Sequence, residues 1–243
     1  MFWKIVSYNH IERIMNNSSG FNTVSLAANL LEKSFIKGMH IASAESLTGG
    51  LLADAFVSVP GASRVFCGSA VTYDIHAKSK ILGVNSNLLQ SEGAVYQDVA
   101  FQMAIGAAQI YRGSGWAYEE DCECCANFPI IGLSTTGVAG PGPDGNKPAG
   151  LVYVGIFLPQ VSDVMDSVKD VARKELENGC VSNVYDYDFA QIESQSVTKI
   201  APSSAAFVFE LRLSGSRQEV RESTVFQLLR IANDLIAYVE DCK

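Results

Sequence analysis

The sequence predicts an α/β fold: a single layered domain with a mixed β-sheet flanked by helices, interrupted by two insertions. Three observations carry this. Short apolar runs of strand length alternate with longer stretches whose apolar residues recur at helical spacing. Residues 41–50 read as a strand and a turn closed by Gly49 and Gly50, with the apolar run 51–57 directly behind them. Residues 205–213 alternate, placing Phe207, Phe209, Leu211 and Leu213 on one face ahead of a long amphipathic segment. The order helix, strand, helix, strand, helices, three strands, helix calls for a sheet of mixed direction.

Taken in order, residues 1–22 are polar, without strong periodicity, and read as an N-terminal extension; the domain occupies 23–243. Thr23 suits an N-cap, and Val24, Leu26, Ala27, Leu30, Leu31 and Phe35 mark a helix running to Gly38. The helix after the 41–50 turn ends near Pro60 and Gly61. Residues 65–73 have strand composition, 75–82 form a short helix before Gly83, and 88–90 are a helical fragment. Val99, Met103, Ala104, Ala107 and Ile110 give residues 97–111 the spacing of a core-facing helix. Residues 113–128, acidic and cysteine-rich, read as a surface insertion. Strands at 130–135 and 151–158 enclose a Gly/Pro-rich loop. Residues 159–204 are polar, aperiodic and too long for an ordinary connection, and read as a second insertion, disordered or folded over the surface. A last helix begins near Ser216 and Arg217, with Val220, Thr224, Leu228, Ile231, Leu235 and Val239 on its apolar face.

Composition narrows the function. The 243 residues are 48% hydrophobic and 18% charged, a globular chain with room for a full core. No apolar run reaches membrane-spanning length, and the first residues lack the layout of a secretory signal, so a cytoplasmic location is expected, with no membrane partner. A net charge of −8 without a basic cluster weighs against nucleic acid, while a small anionic substrate needs only one or two local cations. The six cysteines are expected as thiols. Cys122, Cys124 and Cys125 crowd one loop, but no second Cys/His pair at zinc spacing accompanies them, and His10, His40 and His76 form no ligand motif. No metal and no cofactor is expected.

Four clusters could carry chemistry. The first is Glu45-Ser46-Leu47-Thr48-Gly49-Gly50, where a serine at a strand end, beside the unpaired amides of a helix start, can act as a nucleophile or help hold an anion. Ser46 or Thr48 could equally be a plain helix cap, and the stretch alone favours that. The second is Val71-Thr72-Tyr73 with Lys78, against the ordinary alternative of a strand end and a solvated helix lysine. The third is the loop Thr135-Thr136-Gly137-Val138-Ala139-Gly140-Pro141, which can offer successive backbone N–H groups to a ligand or be a wide turn; its spacing is neither a Walker A loop nor a dinucleotide fingerprint. The fourth is Gly215-Ser216-Arg217, with Arg221 one turn on: a fork for phosphate or carboxylate, or surface arginines.

Taken together the clusters resemble the C-terminal domain of the CinA (competence/damage-inducible) family. The resemblance runs through Ala44 to Gly50, Pro60-Gly61-Ala62-Ser63, Val71-Thr72-Tyr73 with Ala77-Lys78, Leu82-Gly83-Val84, Gly93-Ala94-Val95, Met103-Ala104 with Gly106-Ala107, Thr136 to Pro141, Lys147-Pro148 with Gly150, and Gly215 with Arg217. Order and approximate spacing hold over 24–158 and 205–240. Characterised members are nicotinamide-nucleotide amidases. The resemblance therefore implies hydrolysis of the carboxamide of nicotinamide mononucleotide to nicotinic acid mononucleotide and ammonia. Ser46 would be the nucleophile, Lys78 the base and Tyr73 a proton relay or orienting group. Glu45, Thr48, Gly49, Gly50, Thr136, Gly137, Gly140 and Arg217 would bind substrate, and a homo-oligomer is compatible with the family.

Three positions depart from the family pattern: Ile75 where an Asn is usual, Tyr96 where a Ser is usual, and Ser216 where an Asp often stands. With the two insertions they motivate the competing expectation, a nucleotide-binding or protein-interaction module of the same fold with impaired chemistry. An amidase for another small amide is the third expectation.

Overall fold

The computed structural model describes residues 22–111, 129–161, 164–187 and 203–239. The expected N-terminal extension through residue 21, the cysteine-rich loop from 112 to 128 and the extreme C-terminus lie outside the described residues. Seven α-helices and six strands are described: α1 Thr23–Ile36, β1 His40–Glu45, α2 Leu51–Val57, β2 Phe66–Val71, α3 Ile75–Leu82, α4 Ser86–Glu92, α5 Gln97–Ile110, β3 Ile130–Gly137, β4 Leu151–Leu158, α6 Met165–Lys174, β5 Val181–Tyr187, β6 Ala205–Arg212 and α7 Arg217–Ile236.

The strands form one mixed sheet in the order β2-β1-β3-β4-β6-β5. β1 runs parallel to both β2 and β3, and every pair beyond β3 is antiparallel. The three parallel strands are joined by helical crossovers on opposite faces, so the sheet is sandwiched. Leu30 and Leu31 of α1, Leu52 and Phe56 of α2, Val168 of α6 and Leu228 and Ile231 of α7 fill one core with Phe207, Phe209 and Leu211. Leu82 of α3, Leu89 of α4 and Val99, Met103 and Ala104 of α5 fill the other with Tyr153 and Val208. The period-two alternation of β6 is what allows it to serve both cores at once. The expected α/β class and mixed sheet are therefore observed, as three layers.

Two expectations about elements change. Asn22, rather than Thr23, caps α1, its side chain accepting from the Ser25 amide at 3.0 Å. More substantially, residues 165–187, part of the stretch read as an insertion either disordered or folded over the surface, form regular elements of the domain. They supply α6, which buries Val168 and Ala172, and the edge strand β5, which pairs with β6 from Val181 to Tyr187. Residues 162–163 and 188–202 lie outside the described residues. The buried carboxylate of Glu210 on β6 holds the edge strand: it accepts from Ser182 and Tyr185 of β5, from Tyr153 of β4 and from Arg212.

Because β1 connects towards β2 on one side, and the chain then crosses to β3 on the other, the carboxyl ends of β1 and β3 flank a topological switch point. Open α/β sheets bind their ligands in such a crevice. The turn bearing Ser46 leaves β1 there.

Candidate active site

The turn after β1 is built on Glu45. Helix α2 begins with unpaired amides and takes no side-chain cap from its own N-cap residue, Gly50. The fully buried Glu45 carboxylate supplies the missing acceptors: Oε2 accepts from the amides of Gly50 and Leu52 and from the Thr48 hydroxyl, at 2.9, 3.0 and 2.7 Å. Oε1 accepts from the Ala53 amide and the Ser69 hydroxyl at 2.9 and 3.0 Å. A negative charge at a helix N-terminus is favourable in itself. Gly49 and Gly50 have φ of 58° and 101°, a left-handed pair that lets the chain reverse directly into α2.

These contacts reassign four of the sequence candidates. Neither Ser46 nor Thr48 caps α2; Glu45 does, from outside the helix. Thr48 is fully buried, gives its proton to Glu45 and accepts from Thr135 at 2.8 Å. Glu45 has its oxygens committed to the protein, and with them the Gly50 amide. The Gly49 amide closes the turn on the Ser46 carbonyl at 3.1 Å. The side chains of Glu45 and Thr48 and the amides of Gly49 and Gly50 are therefore taken up within the turn itself.

Freed from capping, Ser46 faces Lys78. The lysine comes from α3, whose N-cap Asp74 accepts from the His76 and Ala77 amides. It is fully buried, not solvated, and Ser46 is 8% exposed. Lys78 Nζ donates to Ser46 Oγ at 3.0 Å and to the Thr72 carbonyl at 2.5 Å. Burial disfavours the ammonium and pushes its pKa down to about 8, against the opposing pull of the Asp74 carboxylate. A hydroxyl bonded to a buried lysine whose ammonium is disfavoured is an arrangement that can supply a nucleophile and its base.

Tyr73 stands apart from that pair. It is 62% exposed, and its hydroxyl accepts from Arg217 Nη2 at 2.9 Å. Arg217 Nη1 donates to the Gly140 carbonyl at 2.7 Å, so one guanidinium ties the β2–α3 and β3–β4 loops to the start of α7. These contacts occupy two of its five N–H groups. Ser216 caps α7 in a reciprocal box with Glu219, so the departure from Asp leaves this helix start intact.

The end of β3 and the loop after it lie at the same end of the sheet, where the Ser46 amide donates to the Thr135 carbonyl at 3.0 Å. Thr136 is buried and its hydroxyl donates to the Ala94 carbonyl at 2.6 Å, joining β3 to the segment before α5. Gly137 pairs with Val152, and a Cβ there would sit 2.7 Å from the Leu151 carbonyl, so its smallness serves close strand packing. Lys147 donates to the carbonyls of Glu92 and Val95 at 2.5 Å each and lies over the Tyr96 ring. Tyr96 makes no side-chain cap for α5, as its replacement of a serine implies. Ile75 packs against the core beside α5.

The structure thus brings Ser46 and Lys78 into contact and gathers Tyr73, Arg217 and Gly140 into a second group at the same sheet end. Sequence reasoning named Thr72 and Lys147 only as members of motifs, without their contacts, and missed Ser69. Among the described residues there is no cluster of three His, Cys, Asp or Glu side chains able to hold a metal ion, and no helix long and apolar enough to cross a membrane.

The family profile described as the CinA C-terminal domain matches residues 23–117 and 125–187. The chain belongs to the CinA C-terminal domain family. A competence-damage inducible protein of Caldanaerobacter subterraneus subsp. tengcongensis is 36% identical over 169 residues, 69% of this chain and 36% of that protein. One from Clostridium perfringens is 34% identical over 183 residues, 75% of this chain and 40% of that protein. The chain thus matches well under half the length of these curated relatives. Among solved structures, the competence/damage inducible protein of Agrobacterium tumefaciens is 26% identical with a TM-score of 0.56, covering 86% of this chain and 92% of that one. A Klebsiella pneumoniae competence damage-inducible protein shares the fold at 18% identity, with a TM-score of 0.60 over 90% of this chain and 99% of the other. The family profile runs through α6 and β5.

Proposed function

We propose that this domain is an amidohydrolase that converts nicotinamide mononucleotide to nicotinic acid mononucleotide and ammonia. The observation that carries the reading is the buried Lys78 amine bonded to Ser46 Oγ at 3.0 Å. A structural serine has no need of such a partner, and an unreacting buried lysine is costly to keep.

In this reading neutral Lys78 takes the Ser46 hydroxyl proton as Oγ forms a bond to the carboxamide carbon. The tetrahedral oxyanion collapses, the C–N bond breaks, and Lys78 returns the proton to the departing nitrogen, which leaves as ammonia. Water then attacks the Ser46 ester carbon and gives a proton to Lys78; as the ester C–O bond breaks, Lys78 passes that proton to Ser46 Oγ, which releases the carboxylic acid and restores the free serine and the neutral amine. One water is consumed and one ammonia formed per turn. The Thr72 carbonyl aims the amine throughout. With Tyr73 bonded to Arg217, its part is to orient the arginine and the substrate at the rim, not to relay protons from Lys78. Arg217 and the Gly140 segment supply a cationic, loop-lined wall suited to a ribose phosphate.

The test is ammonia release and acid-product detection against a panel of pyridine nucleotides and simple amides, with and without added divalent metal. Turnover of the mononucleotide supports the reading; turnover of another amide alone moves the substrate and keeps the chemistry. Tight nucleotide binding by calorimetry with no ammonia from any amide would overturn it in favour of a binding module.

A further inference from the structure

The guanidinium of Arg221, one turn into α7, reaches across to the turn that carries Ser46. Its Nε donates to the Leu47 carbonyl at 2.9 Å and its Nη2 to the Thr48 carbonyl at 2.8 Å. Nη1 is held by the Gln218 side chain at 2.8 Å, so the fork is aimed before it meets the turn. The Cα of Gly49 packs beneath it: a Cβ there would lie 3.5 Å from Nη2. One side chain therefore grips two consecutive peptide planes directly after the residue read as the nucleophile.

A trans peptide carries its C=O and N–H on opposite sides. With the Leu47 and Thr48 carbonyls turned towards Arg221, the amides of Thr48 and Gly49 must point away from it. The Gly49 amide closes on the Ser46 carbonyl at 3.1 Å. Among the described residues no acceptor meets the Thr48 amide, although Thr48 is fully buried. Buried amides seldom go without a partner. The amides of Gly50, Leu52 and Ala53, the more obvious donors of this helix start, are all taken by Glu45.

We infer that Arg221 is a positioning residue that fixes and polarises the Thr48 amide as the oxyanion donor for chemistry at Ser46. This rests on the amidohydrolase reading. A guanidinium on the carbonyl side of a peptide strengthens the N–H on the other side, and a donor held in place before reaction is the form in which hydrogen bonds accelerate acyl transfer most. Lysine in its place could hold one carbonyl but not both.

The experiment compares Arg221→Gln and Arg221→Lys with the wild-type chain, using nicotinamide mononucleotide as substrate and amide hydrogen exchange as an activity-independent readout. In Arg221→Gln, kcat should fall about 10²-fold with KM nearly unchanged, and Arg221→Lys should recover part of that loss. The pH midpoint of kcat, set by Lys78, should not move. Exchange at residues 47–50 should quicken while the rest of the sheet keeps its protection. An unchanged kcat overturns the inference, as does a loss confined to KM, which would make Arg221 a substrate contact, or a displaced pH midpoint, which would make it an electrostatic partner of Lys78. Should Arg221→Gln fail to fold, Arg221→Lys carries the same comparisons. If the wild-type chain hydrolyses no amide, the amidohydrolase reading fails separately, and exchange decides the positioning role: local quickening supports it and unchanged exchange overturns it.

Discussion

Lys78 Nζ lies 3.0 Å from Ser46 Oγ with the Thr72 carbonyl as its second partner, and this places a buried amine and a hydroxyl from two different crossovers in direct contact. The pairing sets a pH dependence. The working form is the neutral amine, and the pKa of about 8 means that its fraction grows as pH rises through that value. We expect kcat for amide hydrolysis to climb from neutrality and level off above a midpoint near pH 8. A pH–rate profile under substrate saturation checks this; a profile flat through that range contradicts it.

Asp74 works against the depression of that pKa by favouring the ammonium. Asp74→Asn keeps a good N-cap side chain while removing the charge. The kcat midpoint should shift to lower pH, and the same profile measured on the variant reads the sign directly.

Keeping Lys78 buried should cost stability. Its folded pKa lies below the ordinary 10.5, so between about 8 and 10.5 the folded state binds fewer protons than the unfolded chain, and stability rises with pH across that window. Below about pH 8 the full cost, roughly 3 kcal/mol, is present. Lys78→Met removes it but leaves the Thr72 carbonyl without its donor, so the net gain at neutral pH should be about 1–2 kcal/mol, with activity lost. Denaturant unfolding at pH 7 and again near pH 10.5 tests both the gain and its disappearance.

Glu45 predicts the opposite. It accepts five hydrogen bonds, three of them from the backbone of α2 and its start. Glu45→Gln replaces one acceptor oxygen by a donor facing donors. We expect a loss of about 2–3 kcal/mol, measured by denaturant unfolding, together with loosened order around Ser46.

The sequence displayed most of this fold because its strands and helices carry strong periodicity: α5, β6 and the apolar face of α7 are all recognisable from spacing. Residues 165–187 were not. α6 buries only Val168 and Ala172 fully, and β5 is an edge strand whose Ser182 and Asn183 face solvent, so neither shows a clean apolar period. The spacing of Val168 and Ala172, and the β-formers Val184, Tyr185 and Tyr187, were the available signals. Ser46 and Lys78 were legible as residue types in motif order, but their contact is made by parallel pairing of β1 with β2, which no local pattern encodes. The role of Glu45 was hidden for a different reason. Its acceptance of the α2 amides depends on the left-handed turn at Gly49 and Gly50, which folds the helix start back over the end of its own strand.

The most direct test is ammonia and nicotinic acid mononucleotide release from nicotinamide mononucleotide by the wild-type protein and by Ser46→Ala at equal concentration, with both confirmed folded by circular dichroism. The account predicts multiple turnovers for the wild type and a drop of more than about 10³-fold in kcat for Ser46→Ala. Wild-type turnover retained in Ser46→Ala would contradict it.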